Sequence, residues 1–155
     1  MAKPIRVEGL RDLERNLRAL QKEYGGKAAT QAMRPALKAA IDPLKGDIAQ
    51  DTPVDSGNLQ ATTKVAIGKP NKKMLATRHY NATTVIAGRV GWFWRSRSYW
   101  YQAIAMEFGT RGSPALNILR GTFDREHMGM LNRFKTALGP AIEKKAKSLK
   151  KKRFR

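Results

Sequence analysis

This 155-residue chain has no cysteine and only two histidines, His79 and His127. Without cysteine there are no disulfides, and zinc or iron–sulfur sites built on thiolates are excluded as well. A run of about 18 apolar residues is missing too, so no segment is expected to span a membrane. The opening Met-Ala-Lys-Pro-Ile-Arg lacks the apolar stretch of a signal peptide, and the chain is expected to be soluble and intracellular when made. Acidic side chains are the most unevenly missing: between Ser56 and Met106 there is no Asp or Glu at all, and none from 144 to 155.

Those two acid-free segments hold eight Lys and Arg each and so account for 16 of the +19 net charge. The chain therefore reads as a near-neutral framework presenting two basic elements. Net charge this far from zero attracts polyanions and opposes self-association until a partner screens it. Nucleic acid and acidic protein surfaces are both compatible partners. At this length a single domain is expected, with roughly 70% of the unfolded chain's surface buried on folding.

Apolar periodicity supplies the elements. Leu10, Leu13, Leu17, Leu20 and Tyr24 recur at steps of three and four, predicting a helix over 10–24 closed by Gly25-Gly26. Ile5 and Val7 before it suit a short strand. Met33, Leu37, Ala40, Ile41, Leu44 and Ile48 predict a second helix over 28–50, in phase through Pro35 and Pro43. Pro35 either sits in the first turn or kinks the helix there, whereas Pro43 predicts a bend near 39–43. Thr63, Val65 and Ile67, then Thr84, Ile86, Gly88 and Val90, alternate as two strands over 62–68 and 84–91. A long polar connection separates them. Residues from Leu119 to Ile142 space out as a last helix over 115–147, weakened by Gly129 and Gly139-Pro140. Together these predict an α+β fold: two N-terminal helices and a C-terminal helix on a small antiparallel sheet. Residues 1–143 form the expected domain, and 144–155 the expected disordered basic tail.

Two segments are dense in turn-formers: Asp51-Thr-Pro-Val-Asp-Ser-Gly-Asn-Leu59, with Pro53, Asp55 and Gly57, and Glu107-Phe-Gly-Thr-Arg-Gly-Ser-Pro114. Asp55 or Ser56 is expected to cap a short helical turn reaching Leu59. At Gly109 a tight turn with positive φ is expected.

Catalytic constellations are sparse. The two histidines stand apart, no serine sits in an elbow-like setting, and Pro53 breaks any helical face aligning Asp51 with Asp55. Neither a metal-ligand spacing nor a phosphate-binding glycine pattern occurs, so no catalytic, metal or cofactor residue is assigned and an enzyme is not expected. Residues 92–101 hold six of the twelve aromatics. Mixed with Arg95 and Arg97, they suit base stacking or, preferably, a core and subunit interface, where Trp, Tyr and Arg are enriched. The interface candidates are Trp92, Phe93, Trp94, Tyr99, Trp100, Tyr101 and Phe108. Lys69, Lys72, Lys73 and Arg78 in the strand connection, with Lys150, Lys151, Lys152 and Arg153 in the tail, are candidates for contact with DNA or an acidic partner.

Three segments in order resemble a known family. Val7-Glu-Gly-Leu-Arg-Asp-Leu13 leads the first helix, Thr52-Pro-Val-Asp-Ser-Gly-Asn-Leu59 closes the second, and Glu107-Phe-Gly-Thr110 follows the aromatic stretch. This order is similar to the minor tail-component, or tail-completion, proteins of long-tailed bacteriophages, over about residues 5–142. The proline–aromatic–leucine–arginine–proline–alanine run that usually follows in the family is replaced here by Asn117-Ile-Leu-Arg-Gly-Thr122. The resemblance implies a non-enzymatic virion protein without cofactors, an α+β subunit forming a ring, commonly a hexamer, at the head-proximal end of the tail. Its partners would be tail-terminator, tail-tube or head-completion proteins, with non-specific contact to genomic DNA in the lumen. It would reside at the head–tail junction, and in the host cytoplasm during assembly. The alternative reading is a basic nucleic-acid-binding protein using Arg, Lys and aromatic stacking, and a third is a small enzyme such as a nuclease.

Overall fold

The computed structural model describes residues 10–77, 80, 85–93 and 97–153, with backbone alone at 97–99, 152 and 153. Its elements run α1 (Leu10–Tyr24), α2 (Gly26–Asp51), α3 (Asn58–Ala61), β1 (Thr63–Gly68), α4 (Lys72–Leu75), β2 (Ala87–Trp92), α5 (Arg97–Phe108) and α6 (Ile118–Arg153). The fold is α+β and mostly helical, with β1 and β2 paired antiparallel. The strand expected at Ile5 and Val7 lies outside the described residues, as does Thr84.

The α1 stripe packs as its spacing predicts: Leu13, Leu17, Leu20 and Tyr24 meet Ala28, Ala32 and Ala36 of α2 and Leu138 and Ile142 of α6. A single residue, Gly25, turns the chain between α1 and α2. Its φ of 85° and ψ of 166° lie in a region closed to side chains with a Cβ.

Helix α2 continues unbroken through both prolines. Pro35 is well past the first turn, contrary to the explanation its sequence position invited. Pro35 and Pro43 both stand on the exposed side, and the carbonyls they leave unpaired belong to Gln31 and Ala39, also exposed. Water can therefore satisfy what the missing N–H groups do not. Pro140 repeats this device in α6, where Thr136 is the exposed residue four positions earlier.

Ala28, Ala32, Ala36 and Ala40 form a buried seam at every fourth position of α2, with Ala36 fully enclosed. α6 lies antiparallel along α2: Arg125 pairs with Asp51, the Arg133 Nε donates to the Ala40 carbonyl at 3.3 Å, and Leu138 and Ile142 reach the N-terminal half. The two long helices join the three-helix end to a second cluster made by Leu44, Ile48, Leu59, Trp92, Ala103 and Ile118. The expected disordered tail is corrected here. α6 extends to Arg153 because Ala146 and Leu149 prolong the Leu138/Ile142 stripe and pack on the same cluster.

The sheet lies on α2 with Val65 opposite Val90 and Ile67 opposite Gly88. A Cβ at Gly88 would stand 2.9 Å from Ile41 Cδ1, so glycine lets the strand sit close to the helix. β2 begins at Ala87 rather than 84, with Ile86 buried and Val85 exposed before it.

Two helices were not foreseen. α4 starts at Asn71, whose side chain accepts from the Met74 amide at 2.9 Å. α5 occupies 97–108, where a turn region and interface were expected.

Replacing Ala36 by Leu should force apart the α2 seam at a cost of about 1–3 kcal/mol. Ala39→Leu on the exposed side should stay within about 0.5 kcal/mol of the parent. Urea unfolding followed by circular dichroism compares them, and equal midpoints would refute the seam.

Candidate functional site

The two turn-rich motifs meet. Thr52 ends α2 and is buried; its amide bonds the Ile48 carbonyl at 3.0 Å, and its hydroxyl donates to the same oxygen. That hydroxyl also accepts from the indole N–H of Trp92 at 3.1 Å. Thr52 precedes a proline and is extended, with φ −76° and ψ 117°, which directs residues 53–57 away from the helix. Gly57, at φ 73°, then starts α3. The expected side-chain cap from Asp55 or Ser56 is thus corrected: a left-handed glycine backbone does the turning, and no side chain caps α3. Gln60 secures the turn by donating to the Ala49 carbonyl at 2.7 Å.

The second motif is tied by Glu107. Only 6% exposed, it sits in the last turn of α5, not in the turn that follows. Its carboxylate accepts from the Leu119 amide at 2.8 Å and the Arg120 amide at 3.0 Å. These are N–H groups of α6's first turn, which have no partner within their own helix. The Asn117 carbonyl accepts the first bond of that helix from Gly121, yet Asn117 has φ 51°, away from the extended conformation of an ordinary cap. Glu107 supplies the missing acceptor from another helix, with negative charge at the positive end of the helix dipole.

Gly109 makes the path between them possible. It has φ 75°, and a Cβ there would stand 2.7 Å from the Ala115 nitrogen and 2.9 Å from the Ser113 carbonyl oxygen. Thr110 and Ser113 exchange backbone hydrogen bonds across the tip, and the Leu116 amide reaches the Met106 carbonyl at 2.7 Å. Between this turn, α5 and the loop after α2 lies a groove of about 490 Å³, bordered by Pro53, Asp55, Leu59, Met106, Pro114 and Leu116.

The aromatic candidates separate. Trp92 is 7% exposed and belongs to the second core cluster, so it braces the interior of the fold instead of offering a contact surface. Phe93 is half-buried, with the Arg89 guanidinium 5.8 Å from its ring centre. Trp94 lies outside the described residues, and Tyr99 is described only in its backbone. Trp100, Tyr101, Ile104 and Phe108 are exposed, the last at 66%. Spacings of three, four and eight residues put them along one side of α5. Leu116 and Val54 are exposed nearby in the turn and loop that border the groove.

Among the charged candidates, Lys69, Lys72, Lys73, Lys150 and Lys151 are exposed. Arg78 lies outside the described residues, and the side chains of Lys152 and Arg153 are not described. Asp51 is held by Arg125, whereas Asp55 borders the groove; the ion pair raises the Arg125 pKa, chiefly through the hydrogen bond. No group of three or more His, Asp or Glu side chains suited to a metal ion occurs among the described residues.

Glu107→Ala should cost about 3 kcal/mol, since two helix amides lose a charged acceptor. Glu107→Gln, which keeps one acceptor oxygen but loses the charge, should cost about half as much. Gly109→Ala should cost about 2 kcal/mol through its positive φ. Chemical denaturation of the three variants tests the order, and an alanine at 107 as stable as the parent would remove the carboxylate's assigned role. No protein-family model matches this chain, and neither does any curated protein or solved structure.

Proposed function

We propose that the chain is a structural virion subunit of a long-tailed phage, assembling as a ring that completes the tail and joins it to the DNA-filled head. The observation that carries the reading is the exposed apolar side of α5, at Trp100, Tyr101, Ile104 and Phe108, beside the groove built by the two motifs. An apolar helix side of this kind suits a protein–protein contact better than contact with water. A ring closes through head-to-tail contacts, in which one surface of each subunit meets a different surface of the next. The α5 side is the adhesive half of such a contact, and the rigid Glu107–α6 junction fixes the angle at which it is presented.

The exposed Lys72, Lys73, Lys150 and Lys151 favour a second role, contact with DNA phosphates. In the ring reading these contacts are weak and sequence-blind. The rival, a dedicated nucleic-acid binder, requires tight binding near physiological salt.

Tyr101→Asp combined with Phe108→Asp should leave the subunit folded, because both side chains are largely in solvent. The same pair should abolish ring formation, read by native mass spectrometry with and without tail-tube protein, and should abolish infectious tails. Normal rings from the double variant would end the α5 assignment. A gel shift that persists as salt rises past physiological strength would favour the nucleic-acid binder.

A further inference from the structure

Among the described residues the sheet has two strands, and only one edge of β1 is paired. Phe93 donates to the Thr62 carbonyl at 2.9 Å, which marks 62 and 93 as a hydrogen-bonded pair. Antiparallel pairs alternate, so the register continues with bonded pairs at 64/91, 66/89 and 68/87. The backbone N–H and C=O of Val65 and Ile67 therefore point away from β2. Among the described residues no strand pairs with this edge.

Beside that edge, between β1 and α2, lies a groove of about 560 Å³. Val65 and Ile67, both half-buried, line it together with Arg34, Lys38, Lys45 and Lys64. Its one carboxylate, Asp42, is 3.9 Å from Lys38. Arg34, Lys45 and Lys64 pair with no carboxylate among the described residues. The sequence hid this cluster, because three of its cations come from the near-neutral N-terminal half and one from the acid-free segment.

We propose that the β1 edge accepts an extended, acidic segment of a partner protein as a third strand. The outward-facing amides of Val65 and Ile67 supply main-chain recognition, as in strand addition generally. Acidic side chains on the added strand's helix-facing side meet Arg34, Lys38 and Lys45, and those on its outer side lie beside Lys64. The same cations disfavour a second copy of this +19 chain at the edge; lysine on an edge strand is a common guard against self-pairing. A DNA duplex would engage the cations but would leave the strand amides and the apolar floor unused. The inference is independent of the α5 contact, so either can fail alone.

The test uses the full chain and a fluorescein-labelled peptide of alternating Glu and Val, followed by fluorescence anisotropy at physiological salt. Binding is expected, and the Lys/Val counterpart should not bind. Arg34→Glu with Lys38→Glu should weaken binding by roughly tenfold or more, as two charge-assisted contacts are lost. Methylating alternate backbone nitrogens of the Glu/Val peptide should weaken it similarly, with the protein untouched. Val65→Pro removes an outward N–H and no ladder bond, and should match that loss in a chain that still melts cooperatively. The proposal is overturned if the Glu/Val peptide does not bind or if both N-methylated registers bind equally well. It is likewise overturned if a duplex DNA probe binds in a way that needs Arg34 and Lys38 and displaces the peptide.

Discussion

The carboxylate of Glu107 at the start of α6 is the contact on which the surrounding architecture depends. A buried charge without compensation is strongly unfavourable, and here the first-turn amides of a 36-residue helix compensate it. Each partner meets the other's unmet need: the helix lacks an acceptor at its N-terminus, and the carboxylate lacks water. The bond also fixes geometry. It holds the last turn of α5 against the first turn of α6, so the nine residues between them must form a compact reversal, which Gly109 alone can lead. The groove beside that reversal, and the direction in which Phe108 and Tyr101 project, follow from the same constraint.

The hydrophobic interior is organised by a different rule. α2 presents Ala28, Ala32 and Ala36 at its contact with α1 and α6, where the larger apolar side chains come from the two partner helices. At the sheet end α2 presents the larger Leu44 and Ile48, which pack with Leu59 and Trp92. Trp92 links the two regimes by filling that space while its indole N–H is satisfied by the hydroxyl that terminates α2. An aromatic that sequence position groups with the exposed cluster thus belongs to the core because it ends a strand whose helix-facing side includes Val90 and Gly88.

Legibility in the sequence followed the strength of periodicity. α1 was readable because five apolar residues mark one stripe on an otherwise charged helix. α2 was readable despite two prolines because its stripe never changes phase. α5 was not, since apolar residues surround it on all sides and leave no preferred face; only the fold decides that Ala103 is buried while Ile104 is exposed. The far end of α6 is hidden for the opposite reason: its lysines dominate the composition, while Ala146 and Leu149 alone sustain the stripe. Glu107 was found as part of a motif but assigned to a turn. Its role as a cap depends on residues twelve and thirteen positions later, and a local reading of caps looks only a few residues ahead. The basic groove was invisible because Arg34 and Lys64 are brought together by the sheet lying across α2.

Charge and apolar surface are segregated in space as well as in sequence, and that bears on how the proposed assembly would form. Self-repulsion from +19 opposes any contact between copies, yet it acts over about 10 Å at moderate salt, whereas apolar contact acts at touching distance. An interface placed where local charge is low pays least for this repulsion. The α5 side and its groove meet that condition: Asp55 borders the groove, the buried Glu107 carboxylate accepts from helix amides, and no Lys or Arg lies between Ser98 and Thr110. The β1 edge has the reverse character, with four cations around two strand residues whose backbone groups face away from β2. In the proposed assembly the first surface would serve copies of the same chain and the second a partner of opposite charge. In the proposed ring that difference would matter, because an edge attractive to both kinds of neighbour would compete with ring closure.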